Sequence, residues 1–231
     1  FNNILGAILG YAEMAKDDSP PESSVARDLS EILSAGARAK DLVKQILAFS
    51  RQVNTERRSV RPAAIVHEAV RLLRPSLPST IEIKQEIDET AGPILADPTQ
   101  LHQILVNLCT NAFHAMEETG GILHISLKNS ELRREDLGRE PHVRPGEFAH
   151  LSVSDTGAGI APELVARIFE PYFTTKDVGK GTGMGLAIVH GIVRSYEGFV
   201  TCVSRIGKGT TIHVYLPVME YGAMVGEEGE E

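Results

Sequence analysis

Apolar residues in the first part of the chain recur three and four positions apart, and beyond about residue 60 this pattern gives way to short alternating runs set between helical stretches. Residues 1 to about 55 read as helix, turn, helix, with Asp17, Asp18, Ser19, Pro20 and Pro21 forming the turn. In the second helix Val25, Leu29, Ile32, Gly36, Ala39, Val43, Ile46 and Ser50 follow the spacing of a coiled-coil seam, and Leu33, Leu42 and Leu47 widen the stripe. Two helices cannot cover that much apolar surface by themselves. Either a second copy supplies the cover, as a four-helix bundle about a two-fold axis, or the rest of the same chain does.

The remaining pattern predicts a helix over 62–74, strands over 80–87 and 93–96, and a long helix from Pro98 to Glu118 capped by Asp97. Strands over 121–128 and 148–154 flank a polar stretch, Asn129 to Glu147, which reads as a surface loop. A short helix over 162–168, a glycine-rich stretch, a helix over 183–196 and strands over 198–205 and 210–217 follow. Helices beside a mixed or antiparallel sheet make this an α+β protein, a two-layer α/β sandwich. The expected domains are a helical hairpin (1–56), a second domain (57–220) and an acidic tail (221–231).

Composition narrows the choice. With 231 residues, 42% of them hydrophobic, the chain can bury a true core in one or two domains. A net charge of -8 argues against a nucleic-acid partner. No apolar run approaches the roughly 20 residues a spanning helix needs, so a cytoplasmic location is expected, with membrane attachment only through parts outside this sequence. Cys109 and Cys202 lie far apart in apolar surroundings, which suggests two buried free thiols.

Three glycine-rich stretches carry the candidate chemistry. Ser154-Asp-Thr-Gly-Ala-Gly-Ile160 follows an apolar strand, so Asp155 stands at a strand end as an acceptor for an amino group, beside glycines that permit close approach. Gly179 to Gly185 reads GKGTGMG and opens a helix, whose free N–H groups suit phosphate oxygens. It lacks the Lys-Ser/Thr ending of a P-loop. Gly207-Lys-Gly-Thr210 enters the last strand, where an ordinary hairpin turn is the plainer reading. Upstream, Asn107 and Asn111 stand four apart on one helix face, and an amide carbonyl oxygen suits Mg²⁺.

Taken in order, Asn107-Leu-Cys-Thr-Asn111-Ala, DTGAGI, Phe169-Glu-Pro-Tyr-Phe-Thr-Thr-Lys176, GTGMGL and GKGT resemble the N, G1, F, G2 and G3 boxes of histidine kinase ATPase domains, over nearly all of 60–220. The resemblance implies the ATP-binding (Bergerat) fold, preceded by a dimerising and phosphate-accepting hairpin. It implies Asn111 as the Mg²⁺ ligand with Asn107 beside it at the phosphates, and Asp155 as the reader of the adenine amine. Gly157, Gly159 and Ile160 would shape the adenine pocket, and Thr210 would reach the base through water. Gly181, Thr182, Gly183, Met184, Gly185 and Leu186 would support the phosphates. Phe169 to Gly181 would form a mobile ATP lid anchored by Phe169 and Phe173, with Lys176 or Lys180 as a phosphate counter-charge. His114 either faces the phosphates or is an ordinary helix histidine; His102 and His190 are assigned to structure.

In the gyrase, Hsp90 and MutL branches a glutamate four residues before the magnesium asparagine activates water. Here that place holds Asn107, which cannot serve as a base. ATP would then be kept for transfer to a protein nucleophile. The opening Phe1-Asn-Asn-Ile-Leu resembles the latter part of His-Asp-Phe-Asn-Asn, whose histidine accepts the phosphoryl group and would stand two positions before Phe1. Asn3 matches the residue that orients water for dephosphorylating a response regulator, and Ile4 replaces a common proline, so no kink is expected there. The resemblance thus implies a sensor histidine kinase acting as a homodimer through residues 1–56, with ATP and Mg²⁺ as cofactors and a response-regulator receiver domain as partner. A nucleotide-gated dimerisation module without phosphotransfer is the alternative.

Overall fold

Helix α1 spans Asn2–Asp17 without interruption, as expected with Ile4 in place of proline. The computed structural model describes residues 2–21, 23–33, 35–36, 56–137, 143–175 and 182–219. They divide into one unit of residues 1–55 with 174–182 and another of residues 56–173 with 183–231. In the first unit, a second helix, α2, is described over 24–33 and 35–36. Ser23 caps it, its Oγ accepting from the Ala26 N–H at 3.0 Å. A side chain at Gly36 would strike Leu9, so the two helices meet closely there, and Ala12 and Ala26 are buried. Ile4, Ile8, Tyr11 and Met14 recur at helical spacing on α1 yet are exposed, as are Val25 and Ile32 of the seam. The seam positions Ala39, Val43, Ile46 and Ser50, with Leu42 and Leu47, lie outside the described residues.

The second unit begins with β1 (Arg58–Val60), which pairs antiparallel with β3 (Ile94–Ala96). Three residues are too few to show a period, so β1 had no sequence signal. Helix α3 (Pro62–Leu73) buries Ala63, Val66, Ala69 and Val70. Helix α4 (Pro98–Ala115) starts at Asp97, whose carboxylate accepts from the Thr99 N–H at 2.8 Å, and buries Leu101, Ile104, Leu105, Leu108, Cys109 and Ala112. Between these helices runs β2 (Ile81–Ile87). The other elements are β4 (Gly121–Leu132), β5 (Gly146–Asp155), the single turn α5 (Pro162–Val165), α6 (Gly185–Ser195), β6 (Phe199–Arg205) and β7 (Gly209–Pro217). The five-stranded sheet runs β2-β4-β5-β7-β6, with β2 and β4 parallel and the other pairs antiparallel. Alternate residues of the central strands, such as Leu123, Ile125, Leu151, Val153, Ile212 and Val214, join the helices in one core. This is the expected two-layer α/β sandwich.

Tyr196 ties the ends of the helices together. Its hydroxyl donates to Gln100 and accepts from the Asp97 N–H at 3.0 Å, while Arg57 lies over its ring and donates to the Ser195 carbonyl at 2.9 Å. The start of α4, the end of α6 and the chain just before β1 are therefore tied together. On the opposite face of the sheet His150 is buried, stacked on Tyr215 and hydrogen-bonded to His213 at 3.0 Å. Burial, followed by the charges of His213 and Lys128, holds it neutral, with a pKa of about 4.

Several expectations need correction. The polar stretch Asn129 to Glu147 is not simply a loop, since β4 runs on to Leu132 and β5 begins at Gly146. Leu137 and Val143 are buried and form a second small core with Phe148 and Phe199. Two apolar residues among many polar ones left no periodic signal. Helix α4 stops at Ala115 and not at Glu118, because fully buried Met116 turns the chain inward and Gly120 adopts φ +65°. Helix α6 starts two residues later than expected because Gly183 is left-handed at φ +65°. Cys109 is buried, its thiol pushed up to about 12, but Cys202 is only half-buried, its thiol raised to about 11 by burial and then by Asp155.

The second core makes the insertion a measurable part of the fold. Leu137→Ala is expected to lower unfolding free energy by about 2 kcal/mol, as read from urea denaturation; a surface loop would change it by less than about 0.5 kcal/mol.

Candidate functional site

The site is organised around Asp155, the last residue of β5 and buried at 7% exposure. Its Oδ1 accepts from the Gly157 N–H at 2.8 Å and the Thr210 N–H at 3.3 Å. Burial raises the pKa of its carboxyl group, and those two backbone bonds oppose the rise without cancelling it. Among the described residues both bonds use Oδ1, so Oδ2 is left to accept from a ligand. Thr210, on β7 beside Asp155, is also buried, and its hydroxyl meets that of Ser204 on β6 at 2.8 Å.

The glycines of the first motif let protein segments pack closely on one another. A side chain at Gly157 would run into the carbonyl of Ala115 at the end of α4, and one at Gly159 (φ +71°) into the carbonyl of Arg205. Gly209 (φ +94°) is pressed against the Asp155 carbonyl in the same way. The close approach is therefore protein to protein: the turn after β5 is gripped between α4 and the β6–β7 hairpin. The Ala158 N–H donates to the Ala115 carbonyl at 3.1 Å, and the Gly207 N–H to the Ala158 carbonyl at 2.7 Å. Ile160 packs against the main core, and its N–H donates to the Ser204 Oγ at 2.8 Å.

The second half of the site lies where α6 begins. A Cβ on Gly185 would sit 3.2 Å from Asn107 Oδ1 and 3.6 Å from Asn111 Nδ2, so the two asparagine amides face the N-terminus of α6 across the space that a side chain would take. Asn107 also donates back to the Gln103 carbonyl at 2.9 Å, which fixes its amide. First-turn N–H groups and half-buried amides suit an anion with its counter-ion. Among the described residues no three His, Cys, Asp or Glu side chains converge, so a cation here would depend on amide oxygen, ligand oxygens and water. That donor set fits Mg²⁺ bound to phosphate.

Of the other candidates, Met184 is buried in the core, Leu186 packs against it and Thr182 is half-buried. Gly183 is required by its φ and by contact with the backbone of Tyr172 and Phe173. Phe169 packs on His190 with ring centroids 5.6 Å apart, and Arg167 covers the Phe173 ring at 4.5 Å. His114 is half-exposed and faces Glu117 at 3.5 Å; His102 pairs with Glu68 at 3.3 Å. Lys176, Lys180 and Gly181 lie outside the described residues. Asn3 falls within α1. Ser204 was missed from sequence, since a serine in a strand carries no signal until register places it beside Thr210.

Comparison with known proteins agrees with this geometry. Residues 96–220 match the family described as histidine kinase-, DNA gyrase B-, and HSP90-like ATPase. The chain is 36% identical over 220 residues to the sensor kinase CckA of Brucella abortus (strain 2308), covering 94% of this chain and 23% of that protein. It is 30% identical over 218 residues to the sensor histidine kinase ZraS of Escherichia coli (strain K12), covering 94% of this chain and 43% of that one. The chain thus spans less than half the length of these curated relatives. Among solved structures, full-length ShkA in complex with AMPPNP superposes with a TM-score of 0.68 at 25% identity, over 93% of this chain and 43% of that one. The catalytic domain of histidine kinase ThkA does so at 0.56 and 26%, over 71% of this chain and 96% of that one.

Two predictions follow from the geometry. Gly185→Ala should leave the melting temperature nearly unchanged, since alanine favours a helix by up to about 1 kcal/mol. Its methyl would displace the Asn107 and Asn111 amides, so affinity for an ATP analogue should fall at least about tenfold, as read by calorimetry, the equivalent of about 1.4 kcal/mol. For Asp155, the raised pKa means that the folded state favours the protonated acid. That contribution is fully present below the ordinary carboxylate pKa and is lost as pH rises through the raised value. Asp155→Asn keeps the acceptor for Gly157 and Thr210 but cannot ionise. It should therefore melt at the same or higher temperature than the wild type at pH 7, with any advantage vanishing in acid. A clear loss of melting temperature at pH 7 would contradict this account.

Proposed function

The chain belongs to the histidine kinase-, DNA gyrase B- and HSP90-like ATPases, and on that premise we propose that it is the ATP-binding and dimerisation portion of a sensor histidine kinase. The observation that carries the reading is buried Asp155, whose Oδ2 is left to accept the adenine amine while Oδ1 is held by two backbone donors. Gly157, Gly159, Ile160 and Thr210 form the walls of that adenine pocket. At the other end, Asn111 would hold Mg²⁺ with Asn107 beside it, and Gly181 to Leu186 would receive the phosphates on the α6 N-terminus. When bound, the metal would neutralise charge on the β- and γ-phosphates.

Asn107 stands where a hydrolytic base would have to be, and an amide already donating to Gln103 cannot take a proton from water. Positioning and charge neutralisation are then the chain's means of promoting phosphoryl transfer. The segment from Phe169 to Gly181 acts as the lid, hinged on packed Phe169 and Phe173, with Lys176 or Lys180 reaching the γ-phosphate. The acceptor is a histidine two positions before Phe1, a place that none of the sequence's eight histidines fills. From there the phosphoryl group passes to an aspartate on a response-regulator receiver domain, with Asn3 orienting the water that later hydrolyses the aspartyl phosphate. The exposed stripe of Ile4, Ile8, Tyr11 and Met14 on α1 is the surface a second copy covers, so that residues 1–56 form the dimer. The domain limits proposed are 1–56, 57–220 and the acidic tail 221–231, and the portion acts in the cytoplasm.

Calorimetric titration with a non-hydrolysable ATP analogue tests this. Binding should require Mg²⁺ and weaken roughly 10- to 100-fold in Asp155→Asn, as expected for a hydrogen bond to a buried charged group. A chain extended upstream to include the histidine should label with γ-phosphate, and this chain should not. Folded protein that binds no nucleotide would rule out the ATPase reading and leave a dimerisation module.

A further inference from the structure

Ser204, on β6, touches the segments that hold Asp155 without touching Asp155 itself. Its one side-chain oxygen makes three contacts: to the Ile160 N–H at 2.8 Å, to Thr210 Oγ1 at 2.8 Å and to the Gly209 carbonyl at 3.1 Å. A serine hydroxyl has one proton and two lone pairs. A carbonyl can only accept, so the serine proton goes to Gly209. A backbone N–H can only donate, so Ile160 takes one lone pair, and the Thr210 hydroxyl donates to the other. This arrangement satisfies all three contacts together and leaves the serine nothing to offer a ligand.

The partners connect Ser204 to Asp155 by two routes. Gly209 and Thr210 share one peptide unit, whose carbonyl accepts from Ser204 and whose N–H donates to Asp155 Oδ1 at 3.3 Å. In a trans peptide those two groups point in opposite directions, so the unit is held between the serine and the carboxylate. The second route is the turn after β5. Ile160 ends that turn on Ser204, and Gly157 within it supplies the other donor to Asp155, at 2.8 Å. Both donors of the carboxylate therefore sit on segments fastened to one hydroxyl. The Thr210 bond lies just beyond the usual range of about 2.7–3.2 Å, so little drift of the peptide is needed to lose it. A carboxylate buried as deeply as Asp155 is unfavourable when short of a donor, and it would turn or take up a proton to compensate.

We infer that Ser204 is a positioning residue for nucleotide binding: it fixes the Gly209–Thr210 peptide and the turn after β5, so that Asp155 keeps Oδ1 occupied and Oδ2 available to the base. Ser204 acts only through Asp155. The inference rests on the reading of Asp155 as the acceptor for the adenine amine.

A double-mutant cycle on the full chain tests it, with ADP and Mg²⁺ titrated by calorimetry up to millimolar nucleotide. Ser204→Ala should bind ADP about fivefold more weakly than the wild type, the equivalent of about 1 kcal/mol and the size of one neutral hydrogen bond. In the Asp155→Asn background the same substitution should change affinity by less than about twofold, since the acceptor that Ser204 positions is gone. A general loosening of the fold would give the same loss in both backgrounds. Ser204→Thr keeps the hydroxyl and should restore wild-type affinity. Ser204→Cys, nearly isosteric but a weak hydrogen-bonding group, takes the place of the alanine variant if that does not fold. In the free protein, amide hydrogen exchange at Gly157 and Thr210 should also rise about fivefold in Ser204→Ala. Equal losses in the two backgrounds, no loss in the wild-type background, or unchanged exchange at both amides would overturn the role of Ser204 while leaving the Asp155 reading intact. If Asp155→Asn alone binds ADP as tightly as the wild type, the base site and the Ser204 role fall together.

Discussion

Burying a carboxylate is unfavourable unless donors surround it, and the second unit of this protein is built so that Asp155 meets that condition. Its two donors come from the following turn and from β7, so the carboxylate cannot be held unless β5, the turn and the β6–β7 hairpin are all in register. The glycines enforce the same closeness sterically. Gly157, Gly159 and Gly209 each sit against another segment's carbonyl, and any larger residue would separate the three pieces that hold Asp155. The acid remains less willing to ionise than an exposed one, because burial outweighs those two bonds.

Helix α4 links the two halves of the site. Its C-terminal end, at Ala115, supports the turn that carries Asp155, while Asn107 and Asn111 on the same helix face the start of α6. Its other end is joined by Asp97 and Gln100 to Tyr196 at the far end of α6. Because protein interiors are close-packed, the spacing between Asp155 and the Asn107–Asn111 pair is set by the buried face of α4.

What the site omits is as informative as what it contains. Under the proposed function an amide stands where a base would activate water, and among the described residues no three His, Cys, Asp or Glu side chains gather to hold a metal. Under the proposed function, that arrangement would hold a nucleotide in place for another nucleophile.

The sequence by itself determined the class of fold, the order of elements in the second unit and the family, because these depend on local periodicity and on short motifs such as DTGAGI and GTGMGL that keep their residues contiguous. Asp97 as a helix cap and the Asn107–Asn111 pair were legible for the same reason: their partners lie within one or two turns. Tertiary structure alone decided the rest. The glycines of DTGAGI proved to be packing against Ala115 and Arg205, the insertion after β4 gained its own core from Leu137 and Val143, and Ser204 acquired meaning only when register set it across from Thr210. Those contacts join residues as far as 46 positions apart, and no local pattern records them, because they are selected by shape and hydrogen-bond satisfaction after the chain has folded.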